Sequence, residues 1–209
     1  MARLLYIETS PRKDRSASIE TARIFLIEYQ KTHPKDVVET LDLWSTPLPE
    51  FDGEVINSKY AILHGLTHTD AQRHAWSAVE KIISHFTSAD KYVFSLPMWN
   101  FGVPYKLKHY IDVITQPGYT FSFTPGEGYK GLVTGKPVAV IYARGGSYPA
   151  GTRAASFDLQ KGYMELFLGF IGFKAIQSVI VEPTLSSPEE TEKGKAAARE
   201  LAKKVAATF

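Results

Sequence analysis

The chain contains no cysteine. Disulfides, thiolate nucleophiles and thiolate metal ligands are therefore excluded, and any redox chemistry must be carried by a bound organic cofactor. Long apolar runs are also missing, since nothing approaches the ~20 residues a membrane-spanning helix needs. The apolar stretch within Met1-Ala2-Arg3-Leu4-Leu5-Tyr6-Ile7-Glu8 is too short before its acid to act as a signal peptide. A cytoplasmic protein without a membrane partner is the expectation. Charge of one sign is scarce too: 24 Lys and Arg stand against 22 Asp and Glu, a net +2 with no long basic block. That balance argues against nucleic acid as the partner.

Catalytic signatures are equally sparse. No Gly-x-Ser-x-Gly elbow and no His-Glu-x-x-His occurs. His64 and His68 stand four apart but straddle Gly65, and His74 and His85 follow without a ligand pattern. These histidines read as solvent-facing, and no metal site is expected.

What is present is alternation. At 209 residues the chain suits one domain, residues 1–209, with room for a substantial core. Apolar runs at Arg3 to Glu8, Val37 to Leu43, Lys91 to Leu96, Lys136 to Tyr142 and Lys174 to Val181 predict five strands. Helical periods fill Ser18 to His33, Ser58 to Thr87 (broken near Gly65), the stretch from Tyr105, and Ala154 to Ile171. A final helix opens at Ser187-Pro188-Glu189-Glu190, with serine as N-cap and proline at N1. Trp44 to Asn57, with Pro47, Pro49 and Gly53, reads as loop. Gln116 to Gly135, with alternating aromatics in Tyr119-Thr120-Phe121-Ser122-Phe123, reads as an excursion containing a short hairpin. Strands alternating with helices imply α/β architecture, a parallel sheet covered on both faces.

Three strand-end loops carry candidate chemistry. After the first strand, Ser10-Pro11-Arg12-Lys13-Asp14-Arg15-Ser16-Ala17-Ser18 gathers hydroxyls and cations before a helix N-terminus, a favourable place for a phosphate. The same loop also reads as solvated surface with Ser18 as N-cap. It has neither the Gly-x-Gly-x-x-Gly nor the Walker lysine pattern. After the third strand, Pro97-Met98-Trp99-Asn100-Phe101 offers backbone N–H groups and flat apolar surface together, which suits a planar heteroaromatic such as a flavin; a well-packed turn is the alternative. After the fourth predicted strand, Ala143-Arg144-Gly145-Gly146 lets backbone approach a ligand closely, or is a surface turn. All three fall at strand carboxyl ends, where open α/β sheets bind ligands.

These three loops, in this order, together with Phe167-Leu168-Gly169-Phe170-Ile171-Gly172, resemble the FMN-dependent NADH azoreductases, also called FMN-dependent NADH:quinone oxidoreductases. The resemblance spans essentially the whole chain. It implies a flavodoxin-like three-layer sandwich with a five-stranded parallel sheet of order 2-1-3-4-5. It further implies a homodimer with FMN at its interface. By position, Ser10, Ser16, Ala17 and Ser18 would hold the FMN phosphate. Pro97, Met98, Trp99, Asn100 and Phe101 would hold the ring, and Ala143, Arg144, Gly145 and Gly146 its pyrimidine side. Phe121, Phe123 and Phe167 are candidates for the substrate pocket. Two positions depart from the family pattern: Trp99 stands where tyrosine is usual, and Ala143 where serine is frequent.

The implied reaction is ping-pong transfer of two electrons from NADH or NADPH, through FMN, to quinones or azo compounds. No catalytic side chain is required. A non-catalytic electron carrier or flavin-binding regulatory module would use the same cradle.

Overall fold

The alternating pattern condenses into a sheet with helices on both faces. The computed structural model describes residues 1–63, 67 and 69–209. In chain order the elements are β1 (Arg3–Glu8), α1 (Ala17–Thr32), β2 (Val37–Asp42), α2 (Gly53–Leu63), α3 (Asp70–Thr87), β3 (Lys91–Pro97) and α4 (Tyr105–Ile114). There follow β4 (Phe121–Thr124), β5 (Gly128–Gly131), β6 (Val138–Ala143), α5 (Leu159–Ile171), β7 (Ile176–Val181) and α6 (Pro188–Ala207). The main sheet has order β2-β1-β3-β6-β7 with every pair parallel. Setting aside the β4–β5 hairpin, this is the expected 2-1-3-4-5 order.

Alternation along each strand assigns the two faces. Leu4, Tyr6, Val93, Ala139, Ile141 and Val179 meet α1 and α6 through Ala22, Phe25, Tyr29, Ala198, Ala202 and Ala206. Alanines on α6 let that helix lie close to the strands. Leu5, Ile7, Tyr92, Phe94, Leu96, Val140 and Tyr142 face the other way, onto Leu107 and Tyr110 of α4 and Met164, Phe167 and Leu168 of α5. Both faces are dry, which explains why the strands read as continuous apolar runs.

Several boundaries differ from the sequence reading. The loop assigned to Trp44–Asn57 ends early, because Asp52 Oδ1 accepts from the N–H groups of Glu54 and Val55 (both 3.0 Å) and starts α2 at Gly53. The helical stretch, read as broken, is two helices, and Thr69 and Gln72 form a reciprocal capping box at the start of the second, α3. Gly65, His64 and His68 lie outside the described residues. The Ala154 helix is a short 3₁₀ turn, Arg153–Phe157, followed by α5, whose cap is Asp158. Ser16, not Ser18, is the N-cap of α1. The final helix is capped by Ser187 with Pro188 in its first turn, as expected.

The excursion is the antiparallel β4–β5 hairpin. It contains the spacing Gly126-x-Gly128-x-x-Gly131, but between antiparallel strands rather than between a strand and a helix. It therefore makes a turn and not a dinucleotide loop. The hairpin is pinned to the end of α5: Val133 N donates to Ile171 O at 2.8 Å. A Cβ on Gly131 would lie 2.3 Å from Gly172 N. Among the described residues, no helix is long and apolar enough to cross a membrane.

The close approach at Gly131 is testable. Gly131→Ala is expected to cost about 2 kcal/mol, because backbone rather than a movable side chain blocks the methyl. Gly162→Ala, inside α5 with open space around its Cβ, is expected to be neutral or to gain up to about 1 kcal/mol. Urea unfolding of both variants checks the contrast. Equal effects would show that crowding at Gly172 is not the constraint.

Candidate functional site

The order β1-β3-β6-β7 brings four strand ends together, and a cavity of about 280 Å³ opens there. Its walls come from the loop after β1, the turn after β3, the end of β6, the segment after β7, and the first half of α6.

The β1 wall is shaped by Lys13. Its backbone is left-handed (φ 48°), and its Nζ sits 2.7 Å from Glu8 Oε1 and 2.5 Å from Asp42 Oδ1. Burial alone would lower the Lys13 pKa, but its bonds to Asp42 and Glu8 raise it. Burial alone would raise that of Asp42, but Lys13, Ser45 and the Trp44 N–H bring it below the ordinary carboxylate value. With Lys13 tied to the strand ends, Arg12 and Arg15 line the cavity. Neither forms an ion pair among the described residues. Ser10 is buried, and its Oγ accepts from Arg12 N at 3.3 Å.

Ser16 heads α1 without a side-chain cap bond; its hydroxyl lies 3.1 Å from that of buried Ser18 instead. The first-turn amides thus lack a side-chain acceptor, and they carry the positive end of the helix dipole. Ser10, Ser16 and Ala17 border the cavity beside the two arginines. Lys195 reaches the same cavity from α6. This end is built for an anion.

The β3 wall is a tight turn. Trp99 N donates to Gly102 O at 3.1 Å, and Gly102 N donates to Trp99 O at 3.0 Å. Between them Asn100 and Phe101 have φ 47° and 69°, the signature of a type I′ turn. Pro97, Met98 and Trp99 line the cavity, whereas Asn100 and Phe101 form the tip outside its lining. The Phe101 ring is half-exposed, 5.5 Å from that of Phe157. Trp99 lies 5.8 Å from Trp44 and 6.2 Å from Tyr105. The Trp44 indole N–H donates to Thr9 O at 2.8 Å, tying the β2 loop to the β1 loop behind Trp99.

At β6, Ala143 and Gly145 line the cavity, while Gly146 borders the neighbouring groove. Arg144 turns into the body and is buried. Ser18 is buried against Ser16 and does not line the cavity. Phe121, Phe123 and Phe167 stand elsewhere. Phe121 packs 4.9 Å from Phe170, Phe123 is exposed on the hairpin 5.0 Å from Tyr129, and Phe167 is in the core.

Sequence reasoning did not single out Thr184, Leu185, Thr191 or Lys195, all of which line the cavity. The strand-end rule applied to the fifth parallel strand would have found the first two. Thr191 and Lys195 are four apart, hence on one face of a helix whose start was legible. Among the described residues, no group of three or more His, Asp or Glu is arranged to hold a metal.

An anion seat, a partly buried indole and thioether, and backbone at Ala143 and Gly145, all lining one cavity, fit a phosphorylated planar heteroaromatic. Comparison with known proteins agrees. A family model for the flavodoxin-like fold matches residues 2–205. A protein of Desulfotalea psychrophila named FMN-dependent NADH:quinone oxidoreductase is 53% identical over 199 residues, covering 95% of this chain and 93% of the relative. The crystal structure of an azoreductase from Bacillus anthracis superposes with a TM-score of 0.92 at 33% identity, covering 100% of both chains. A Bacillus anthracis FMN-dependent NADH-azoreductase in complex with FMN gives 0.86 at 27% identity, covering 99% of this chain and 100% of that one.

The Lys13 clamp predicts a pH signature. The lowered Asp42 carboxyl contributes stability above the ordinary carboxylate pKa of 3.8, and that contribution fades as pH falls through the lowered value. The raised Lys13 ammonium contributes below its ordinary 10.5 and loses that contribution only at higher pH. Because Lys13 is partly exposed, Lys13→Met should cost only about 1 kcal/mol at pH 7. The melting-temperature gap to the parent protein should close at strongly acidic pH. A gap of the same size at both pH values would assign the effect to packing instead.

Proposed function

The chain belongs to the flavodoxin-like fold family, and on that premise we propose that NADH and the electron acceptor occupy one pocket in turn. The activity is FMN-dependent transfer of electrons from NADH to quinones and azo compounds. The observation that carries the site assignment is the uncapped α1 N-terminus, flanked by unpaired Arg12 and Arg15, in a cavity that Met98 and Trp99 also line.

The chemistry FMN supplies when bound is two-electron hydride transfer. The protein's own groups bind and orient. The α1 amides, the Ser10 and Ser16 hydroxyls and Arg12 or Arg15 would hold the phosphate, as charge-assisted hydrogen bonds from fixed donors. Pro97, Met98 and Trp99 would present apolar surface to the ring. Backbone at Ala143 and Gly145 would meet its polar edge without side-chain interference. Asn100 and Phe101, at the tip, would form the rim over which a substrate enters. No side chain in the cavity is placed as nucleophile, and protons come from water.

A homodimer accompanies this reading. Leu166, Leu159, Tyr129 and Phe123 present large apolar side chains to solvent, with Leu166 73% exposed. Such side chains favour burial against a second copy. In that assembly Phe123, remote from its own chain's cavity, would be available to a partner's pocket.

The purified protein is expected to bind FMN, turn yellow, and oxidise NADH when menadione is added. Double-reciprocal plots at several menadione concentrations should be parallel. Intersecting lines would overturn the shared pocket, and a colourless protein that takes up no FMN would overturn the activity. An Arg12→Ala, Arg15→Ala double variant should weaken FMN at least tenfold, about 1.4 kcal/mol or more, and leave riboflavin affinity unchanged. Equal losses for both flavins would remove the arginines from the phosphate site.

A further inference from the structure

Arg144 was expected to touch the cofactor, but its side chain is 1% exposed and faces away from the cavity. A buried guanidinium is costly unless its charge and donors are matched. Here two carboxylates match the charge, Nη1 donates to Glu182 Oε2 at 3.4 Å and Nε donates to Gln160 Oε1 at 3.2 Å, while Nη2 meets Asp158 at 2.8 Å as an ion pair without hydrogen-bond geometry. Tyr142 and Tyr148 cover its faces, with ring centroids 5.6 and 5.7 Å from Cζ.

The partners matter for what they hold. Asp158 caps α5 by accepting from Lys161 N at 3.0 Å. Fully buried Gln160 passes the connection on, donating from Nε2 to Leu96 O at 3.3 Å, directly before the Pro97–Met98–Trp99 wall. Glu182 leads into Thr184 and Leu185. Thr184 donates from both N and Oγ1 to Arg144 O (each 2.8 Å), and Leu185 N donates to Gly145 O at 3.0 Å. Met98 N donates to Ala143 O at 2.8 Å. The side chain is thus linked to the β3 wall through Gln160 and to the segment after β7 through Glu182, while its own backbone carries the β6 wall, all on the ring side of the cavity. The anion end at α1 lies outside this network.

We infer that Arg144 is a positioning residue: through Gln160, Asp158 and Glu182 its side chain sets the β3 and β7 walls on either side of its own strand end, the walls that grip the flavin ring, without touching the flavin. This rests on the flavin reading given above. A lysine cannot reproduce the fork, since an ammonium cannot match three partners in fixed directions.

The test uses the FMN-loaded parent protein and Arg144→Lys, Gln160→Met and Glu182→Gln variants. Arg144→Lys should raise the dissociation constants of FMN and of riboflavin by the same factor, about tenfold. The visible circular dichroism of the bound flavin should change. Gln160→Met, which keeps both ion pairs, should alter that spectrum with a smaller loss of affinity. Glu182→Gln, at a partly exposed position, should do the same if Arg144→Lys fails to fold. Variants that melt at lower temperature yet bind flavin with the parent spectrum overturn the inference, since a merely structural role would do that. A loss confined to FMN, with riboflavin unaffected, also overturns it. A parent protein that takes up no FMN overturns the flavin reading itself, and this inference with it.

Discussion

The site depends on backbone pairing that continues past the ends of the strands. Thr9 N donates to Ser95 O, Met98 N to Ala143 O, and Arg144 N to Val181 O, each one step along the parallel ladder. These residues belong to the loops that form the cavity. Their backbones are therefore placed by the sheet, not by the loops' own preferences. Parallel strands all finish on the same edge, so adjacent strands deliver their loops side by side. Without this continuation the serine loop, the Trp99 turn and the Gly145 segment would be three unrelated surface features.

The two faces of the sheet then divide the labour. On one face, alanines at 198, 202 and 206 bring α6 against β7, beside α1. Gly194 tightens this further, since a Cβ there would lie 2.3 Å from Glu182 O. That close approach carries Thr191 and Lys195 to the cavity and sets the anion end between two helices. The other face carries tyrosines, phenylalanines and leucines against α4 and α5. It holds the α5 start, where Gln160 donates to Leu96 O beside the ring-side wall and Asp158 pairs with Arg144. Small residues thus position charge, and large ones position shape.

Much of this was legible in the sequence, for reasons that can be stated residue by residue. Strands buried on both faces announce themselves as apolar runs, and the loops at their ends follow from chain order. Ser187-Pro188 marked its helix because a cap and an N1 proline act locally. What was illegible depended on distant partners. Asp52 caps α2 although prolines around it suggested loop. Ser16 turns its hydroxyl to that of Ser18 rather than to the helix amides, and no local rule predicts that. The direction of Arg144 is set by Asp158, Gln160 and Glu182, which lie 14, 16 and 38 residues away. A residue pattern can say that an arginine borders a ligand loop, but not to which side it turns.

The Trp99–Gly102 turn shows how such a site keeps its shape. Asparagine accepts a positive φ readily, because its short polar side chain tolerates the left-handed region. Phenylalanine does not, and holding Phe101 at φ 69° costs about 1–3 kcal/mol. The surroundings offset that cost. Phe101 meets Phe157, and Trp99 is set among Trp44 and Tyr105, ring contacts worth about 0.5–1.5 kcal/mol each. Trp44 is itself fixed by its bond to Thr9 O, and Thr9 by the ladder to Ser95. The strained tip is thus referred back through aromatic rings to the same sheet edge that sets the rest of the cavity. A turn held in this way presents Trp99 in one orientation, and it is the rigidity of that indole, more than its identity, that lets the cavity offer a flat wall.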